Sequence, residues 1–100
     1  MSMQGQLRII VLDASTTSRK ILEVILRRDG HQVVSFEDPM DMLRFLLWSG
    51  PADLLFLTLD LPRIDGLEVL KYLKGHPRFH AMIPIALLSK SDGVLERIKA

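Results

Sequence analysis

Polar residues that could do chemistry lie in three short clusters, each at the end of an apolar run. Residues 13–18 follow the run LRIIVL, residues 58–60 end the run DLLFLTL, and residues 89–91 follow the run IPIALL. Carboxylate and hydroxyl oxygens are the ligands that Mg²⁺ prefers, and a carboxylate is already ionised at neutral pH. Metal binding or group transfer is therefore to be sought in these three clusters.

Several other chemistries are excluded or disfavoured by the residue types. The chain has no cysteine, which removes disulfides, thiolate zinc sites and cysteine nucleophiles. It also lacks the G-x-x-x-x-G-K pattern of a P-loop. His76 and His80 are separated by Pro77, which prevents a continuous helical face, so we expect no zinc site there.

Composition gives no case for nucleic acid or membrane as a partner. Thirteen basic and twelve acidic residues leave a net charge of +1. No apolar run approaches the roughly 20 residues that span a bilayer, and the start lacks the charged-then-apolar order of a signal peptide. We therefore expect a cytoplasmic domain formed by residues 7–100, with residues 1–6 as a disordered tail.

The elements that position the three clusters alternate between short apolar runs and helical patterns. The predicted strands are residues 7–12, 31–36, 53–59 and 83–88, and the predicted helices are residues 17–28, 39–48, 67–74 and 94–99. Strands that are apolar on both faces indicate a parallel sheet covered by helices on both sides. Ligands of such sheets bind at the carboxyl ends of the strands, where the three polar clusters lie.

The motifs in this order resemble the receiver domain of bacterial two-component response regulators. The segment LPRIDGLEVL is the most specific, because it is similar to the family pattern M-P-x-M-D-G-hydrophobic-E. Pro62, Asp65 and Gly66 match that turn, with Leu61 and Ile64 at the methionine positions. The resemblance implies a flavodoxin-like α/β fold with strand order 2-1-3-4-5, and we expect the final strand and helix to be absent from this chain.

The family's functional positions carry over only in part. The resemblance implies that an acidic pair after the first strand binds Mg²⁺, and this chain has Asp13 followed by Ala14. The phosphoacceptor aspartate is replaced by Thr58, and Asp60 stands where a backbone carbonyl would bind Mg²⁺. Ser89 matches the switch position that contacts the phosphoryl group. The family's lysine at the end of strand five has no counterpart.

These departures predict a receiver that does not take up phosphate. Ala14 and Thr58 remove two negative charges from the site, so we expect Mg²⁺ binding to be weak or absent. The Thr58 hydroxyl is not ionised and would need an adjacent base, a role for which Asp13 is the candidate. We therefore expect no enzyme, but a pseudo-receiver in phosphorelay signal transduction that acts through protein contact.

Other interpretations of the same residues stay open. Asp60 lies two residues beyond Thr58, on the same face of an extended strand, and Asp60 or Asp13 could be the phosphoacceptor instead. The strand ends could also bind a small ligand, as in other flavodoxin-like domains. Thr58 could be an ordinary strand residue, and Asp13 could be a remnant metal ligand, the cap of the first helix, or both.

The first two helices carry more apolar residues than one covered face requires. In the first helix, apolar residues span an arc of roughly 200°, and in the second, residues 40–48 leave only Asp41 and Arg44 polar. This surplus predicts a second burial partner, which could be a signalling protein, an output domain or another copy of this chain. Deeper packing within the domain is the alternative. An open edge on the fourth strand could also support a homodimer.

Overall fold

Four strands and three helices alternate in the part of the chain that the computed structural model describes, residues 5–58, 61 and 64–87. The strands are β1 (Arg8–Leu12), β2 (Gln32–Phe36), β3 (Leu54–Thr58) and β4 (Ile83–Leu87). The helices are α1 (Thr16–Arg28), α2 (Pro39–Ser49) and α3 (Gly66–Lys74), with a 3₁₀ helix, η1, at Pro77–Phe79. The predicted bounds of these strands and helices differ from the observed ones by one residue at most. The fourth predicted helix, residues 94–99, lies outside the described residues.

The four strands form one parallel sheet in the order β2-β1-β3-β4. Leu12, the last residue of β1, pairs with Phe36 of β2 and with Leu57 of β3. The predicted flavodoxin-like fold is therefore confirmed. Because the strands are parallel and in register, their carboxyl ends lie together at one edge of the sheet.

Helices cover both faces of this sheet. On one face, side chains of β1 and β3 pack with α2 and α3 in the larger core, which includes Leu12, Met42, Leu57 and Val69. On the other face, a smaller core of strand residues is covered by Leu22 of α1. The two central strands, β1 and β3, are thus largely buried on both sides, as the sequence pattern predicts, whereas the outer strands expose Val34 of β2 and Ile83 of β4.

Local signals start and end the helices where the sheet requires it. The Asp38 side chain accepts a hydrogen bond of 2.8 Å from the Met40 N–H, and Pro39 occupies the first turn, where a missing N–H costs nothing. Gly30 has φ of +91°, a left-handed conformation that favours glycine. It turns the chain from the end of α1 into β2.

The apolar surplus of α1 and α2 is divided between core and surface. Part of it is buried as deeper packing, for example Met42 and Leu46, which are fully buried. The remaining large apolar side chains of the two helices are exposed on their outer sides: Ile21, Val24, Ile25, Met40, Leu47 and Trp48. Deeper packing therefore accounts for part of the surplus, and a second burial partner for the exposed part stays a prediction.

Candidate functional site

The carboxyl ends of β1 and β3 bring Asp13 and Thr58 side by side. Leu12 pairs with Leu57, so the next residues of the two strands, Asp13 and Thr58, are lateral neighbours. The residues two positions earlier on both strands lie in the smaller core beneath α1. Because side chains alternate along a strand, the Asp13 and Thr58 side chains share that side of the sheet.

Asp13 is held firmly by its surroundings and is only 4% exposed. Its backbone N–H donates to the Phe36 carbonyl at 3.0 Å, which extends the β1–β2 ladder by one step. Its Oδ1 accepts from the Ser15 N–H at 2.9 Å, and its carbonyl oxygen accepts from Nη1 of Arg19 at 2.8 Å. These bonds fix the connection between β1 and α1.

The cap of α1 is Ser15, so the prediction that Asp13 caps this helix is wrong. Ser15 has extended backbone angles, and its Oγ accepts from the Ser18 N–H at 3.3 Å. Asp13 lies two residues before the cap and stabilises the turn that leads to it. This arrangement leaves the second carboxylate oxygen of Asp13 unused by the helix.

Two buried polar atoms at this edge have no hydrogen-bond partner among the described residues, namely Oδ2 of Asp13 and Oγ1 of Thr58. Buried polar groups normally find a partner, so such atoms call for an explanation. Here both belong to neighbouring side chains at the edge where ligands of this fold bind. The two atoms also do not hydrogen-bond to each other.

The described residues do not fit Mg²⁺ well. They offer one carboxylate and one neutral hydroxyl, and no group of three or more His, Cys, Asp or Glu in the described residues could hold a metal ion. Ala14, at the second acidic position of the family, packs its methyl group against the larger core. The other candidate residues, Asp60, Pro62 and Ser89, lie outside the described residues.

Asp65 and Gly66 of the motif turn have a structural role in starting α3. Asp65 is the N-cap, and its Oδ1 accepts from the Leu67 N–H at 2.9 Å. Its carbonyl accepts from the N–H groups of Glu68 and Val69. Gly66 is buried in the first turn. This turn follows the carboxyl end of β3 in the chain.

A second buried acid, Glu23, lies where α1 packs on β2. Its Oε2 accepts a hydrogen bond from the Ser35 hydroxyl, and its Oε1 accepts from Nη1 of Arg27 at 3.2 Å. Nη2 of Arg27 continues to the Val33 carbonyl at 3.0 Å. We call this arrangement of Glu23, Ser35, Arg27 and the Val33 carbonyl the α1–β2 clasp.

Electrostatics at the α1–β2 clasp favour the ionised acid. The hydrogen bond from Ser35 is the main cause that lowers the pKa of Glu23 below its ordinary value, against the opposing effect of burial. The positive charges of Lys20, Arg27 and Arg19 lower the pKa further.

Sequence reasoning missed the α1–β2 clasp. The available signal was Glu23 itself, a charged residue between the apolar residues of a helix. Its partner Ser35 comes from a strand, and the sequence does not show which strand residue faces which helical position.

Within the described ranges, no helix is long and apolar enough to cross a bilayer.

Comparisons with known proteins agree with this geometry. The sequence profile of the response regulator receiver domain matches residues 9–100. The chain is 29% identical over 93 residues to protein PilG of Pseudomonas aeruginosa, covering 93% of this chain and 67% of PilG. It is 34% identical over 91 residues to response regulator MprA of Mycobacterium tuberculosis, covering 91% of this chain but only 38% of MprA.

Solved structures show the same fold. The phosphorylated cyanobacterial phytochrome response regulator RcpA superposes with a TM-score of 0.79 at 23% identity, covering 92% of this chain and 72% of RcpA. Response regulator TrrA of Thermotoga maritima, solved with Mg²⁺ and BeF, gives a TM-score of 0.72 at 28% identity. That match covers 85% of this chain and 71% of TrrA. With its sheet order, its motif turn and the profile match over nearly its whole length, the chain belongs to the response regulator receiver domain family of two-component signalling proteins.

Proposed function

We propose that this receiver domain signals by protein contact and does not accept a phosphoryl group. The observation that carries the proposal is the position of Thr58 at the carboxyl end of β3, beside Asp13. In the family, this position belongs to an aspartate that receives the phosphoryl group. A domain with a hydroxyl there keeps the fold and the surfaces of a receiver without its nucleophile.

Among the described residues, nothing beside Thr58 activates its hydroxyl. A threonine needs an adjacent general base to become a nucleophile, within hydrogen-bond reach of its proton. Asp13 is the neighbouring acid, but its Oδ2 and the Thr58 Oγ1 do not hydrogen-bond to each other. The Asp13 Oδ1 is already engaged by the Ser15 N–H. The hydroxyl therefore stays protonated and unreactive.

The charge of the site also disfavours phosphoryl transfer. Such transfer depends on a metal ion and positive groups that neutralise the charge of the transition state. Asp13 is the carboxylate that follows β1 beside Thr58, and Ala14, the next residue, offers a methyl group. Mg²⁺ would be bound weakly, which removes the positive charge that the reaction requires.

Protein contact is supported by the outer sides of α1 and α2. Both expose large apolar side chains that the domain does not bury, including Val24 on α1 and Trp48 on α2. Exposed apolar patches of this kind mark interaction sites. The partner would be a signalling protein, an output domain or another copy of this chain, and the domain would need no catalytic turnover of its own.

Phosphoryl uptake can be tested directly by mass spectrometry. The full chain is incubated with acetyl phosphate and 10–20 mM MgCl₂ (roughly saturating for a receiver site), and its intact mass is recorded over time. We expect no adduct, while a receiver that retains the acceptor aspartate is labelled in parallel and shows that the donor is active. A stoichiometric adduct on Asp13, Asp60 or Thr58 would refute the proposal.

Small-ligand binding is tested on the same sample. A flavin or nucleotide that clearly raised the melting temperature would favour a ligand-binding domain. We expect no shift with either compound.

A further inference from the structure

The outer face of α2 is exposed along the whole helix. We define it by five residues that span about 120° at 100° per residue, opposite the side that α2 buries in the core: Met40, Asp41, Arg44, Leu47 and Trp48. Trp48 is 84% exposed, Met40 is 50% exposed and Leu47 is 43% exposed. An exposed tryptophan flanked by two further apolar side chains is typical of an interface rather than of a free surface.

The charges on this face are arranged for a second copy of the same helix. Nη1 of Arg44 donates to Oδ1 of Asp41 at 2.9 Å, so the middle of the face is neutral. Exposed acids lie towards the start of α2, at Glu37 and Asp41. A basic group lies towards its end, at Arg78, whose Nη1 donates to the Leu47 carbonyl at 3.0 Å. Two copies in antiparallel orientation would place each acidic end beside a basic end.

We propose that the outer face of α2 forms a symmetric homodimer by packing antiparallel on the same face of a second copy. With the two-fold axis near Arg44, Trp48 of one copy lies opposite Met40 of the other, because both are four residues from the axis. Methionine sulfur and an aromatic ring pack favourably. Asp41 of each copy comes within reach of Arg44 of the other, because they are offset by three residues along the axis, so two ion pairs can form between the copies in addition to the pair within each helix.

The outer face of α1 does not suit the same occupant. Its exposed apolar residues, such as Val24, are accompanied by Lys20, Arg27 and Arg28. The single acid of this helix, Glu23, is buried in the α1–β2 clasp. Two copies of this face would meet with like charges and repel each other. Charge therefore assigns self-association to α2 rather than to α1.

The size of the face predicts a weak dimer. A tryptophan buries roughly 150–250 Å² when it is covered, so two copies of this face bury somewhat less than the 1,200 Å² of a standard specific interface. We expect a dissociation constant on the order of 0.1 mM, within reach of sedimentation experiments. This inference rests on the proposed contact function but not on the chemistry of Thr58, so a phosphate adduct would leave it standing.

The dimer is tested on the full chain by sedimentation velocity at protein concentrations from about 10 µM to 1 mM, a range that brackets the expected dissociation constant. We expect the weight-average sedimentation coefficient to rise from monomer to dimer. Trp48 is the single tryptophan of the chain, so its fluorescence emission should shift to the blue over the same range. A monomer at every concentration, with unchanged emission, would overturn the proposal.

A pair of charge-swap variants distinguishes this specific interface from nonspecific hydrophobic association. Arg44→Asp makes the face acidic and Asp41→Arg makes it basic, and each variant alone should self-associate at least tenfold more weakly than the original chain. An equimolar mixture of the two variants should associate again, since an acidic face then meets a basic one. If the mixture stays monomeric while the original chain dimerises, the antiparallel arrangement is wrong.

The matched control lies on the other helix. Val24→Asp places a charge in the exposed apolar patch of α1, and it should leave the dimerisation constant unchanged. Circular dichroism confirms that each variant is folded. Loss of the dimer with Val24→Asp, but not with Arg44→Asp, would assign the interface to α1 and refute the proposal for α2.

Discussion

Two buried acids of this domain differ in how completely their carboxylate oxygens are hydrogen-bonded. Glu23 lies in the α1–β2 clasp, and Asp13 lies at the carboxyl edge of the sheet. Both carboxylate oxygens of Glu23 receive hydrogen bonds, from Ser35 and Arg27. Only Oδ1 of Asp13 accepts a hydrogen bond. Its Oδ2 has no partner among the described residues, and neither has the hydroxyl of the neighbouring Thr58. A complete set of donors indicates a structural role, and an incomplete one indicates a place shaped for a ligand.

The difference between the two acids lies in how completely their surroundings satisfy them. The connection after β1 is fixed by the hydrogen bonds of Asp13 with Ser15 and Arg19, yet Oδ2 of Asp13 and Oγ1 of Thr58 have no partner among the described residues. Under the proposed function, these two atoms mark a receiver site that has no acceptor carboxylate at position 58.

Placing carboxylates at positions 14 and 58 should produce the largest change in the response to Mg²⁺. In an Ala14→Asp/Thr58→Asp variant the edge regains three acids, and Mg²⁺ should bind with roughly millimolar affinity. At 10 mM Mg²⁺ such binding stabilises the fold by about 1.4 kcal/mol, a rise in melting temperature of about 6–11 °C. We expect the original chain to shift by about 1 °C or less, as measured by thermal unfolding with and without Mg²⁺.

Sodium chloride at matched ionic strength controls for screening of the added charges. An original chain that Mg²⁺ stabilises as strongly as the variant would show that Asp13 and Thr58 already form a metal site. The comparison between the two buried acids would then fail.

The sequence was sufficient for the fold and for the position of the site, but not for its details. The strands were predictable because they are apolar on both faces, and the site because parallel strands end together. The role of Asp13 was not, since the choice between Asp13 and Ser15 as cap depends on backbone angles. The α1–β2 clasp was also out of reach, because pairing Glu23 with Ser35 requires the packing of a helix on a strand.

Removing the main donor of the α1–β2 clasp should have the largest effect on stability in the absence of metal. Ser35→Ala leaves Oε2 of Glu23 buried without its hydrogen bond, which should lower the free energy of unfolding by about 1–3 kcal/mol. Urea unfolding at pH 7 measures this loss. Ser18→Ala is the matched control, because the Ser18 side chain is exposed on α1, and it should change stability by less than about 0.5 kcal/mol.

A substitution at the sheet edge should instead increase the stability of the fold. Thr58→Val replaces the unpartnered Oγ1 by a methyl group of similar shape, so it should raise the free energy of unfolding by about 1 kcal/mol. Thr17→Val, at an exposed position in the first turn of α1, should have almost no effect. A destabilised Thr58→Val variant would mean that the hydroxyl has a bound partner in solution, which would contradict the proposed difference between the two sites.

The smallest expected effect is a pH dependence of the unfolding free energy that Ser35→Ala removes. Because the folded-state pKa of Glu23 is lowered, its ionisation contributes stability that is fully present above the unfolded value of about 4.3. This contribution is lost as the pH falls below that value and through the lower folded-state pKa. Ser35→Ala removes the largest cause of the lowering, so the variant lacks most of this contribution. The difference in unfolding free energy between the original chain and the variant should therefore be greatest above about pH 6 and smaller below about pH 4.

Urea unfolding at pH 7, 5 and 3.5 measures this difference, and the control Ser18→Ala is expected to show a constant difference. A Ser35→Ala difference that stayed constant or widened towards pH 3.5 would show that the hydroxyl acts on Glu23 through packing alone, and the charge of Glu23 would no longer distinguish the α1–β2 clasp from the sheet edge.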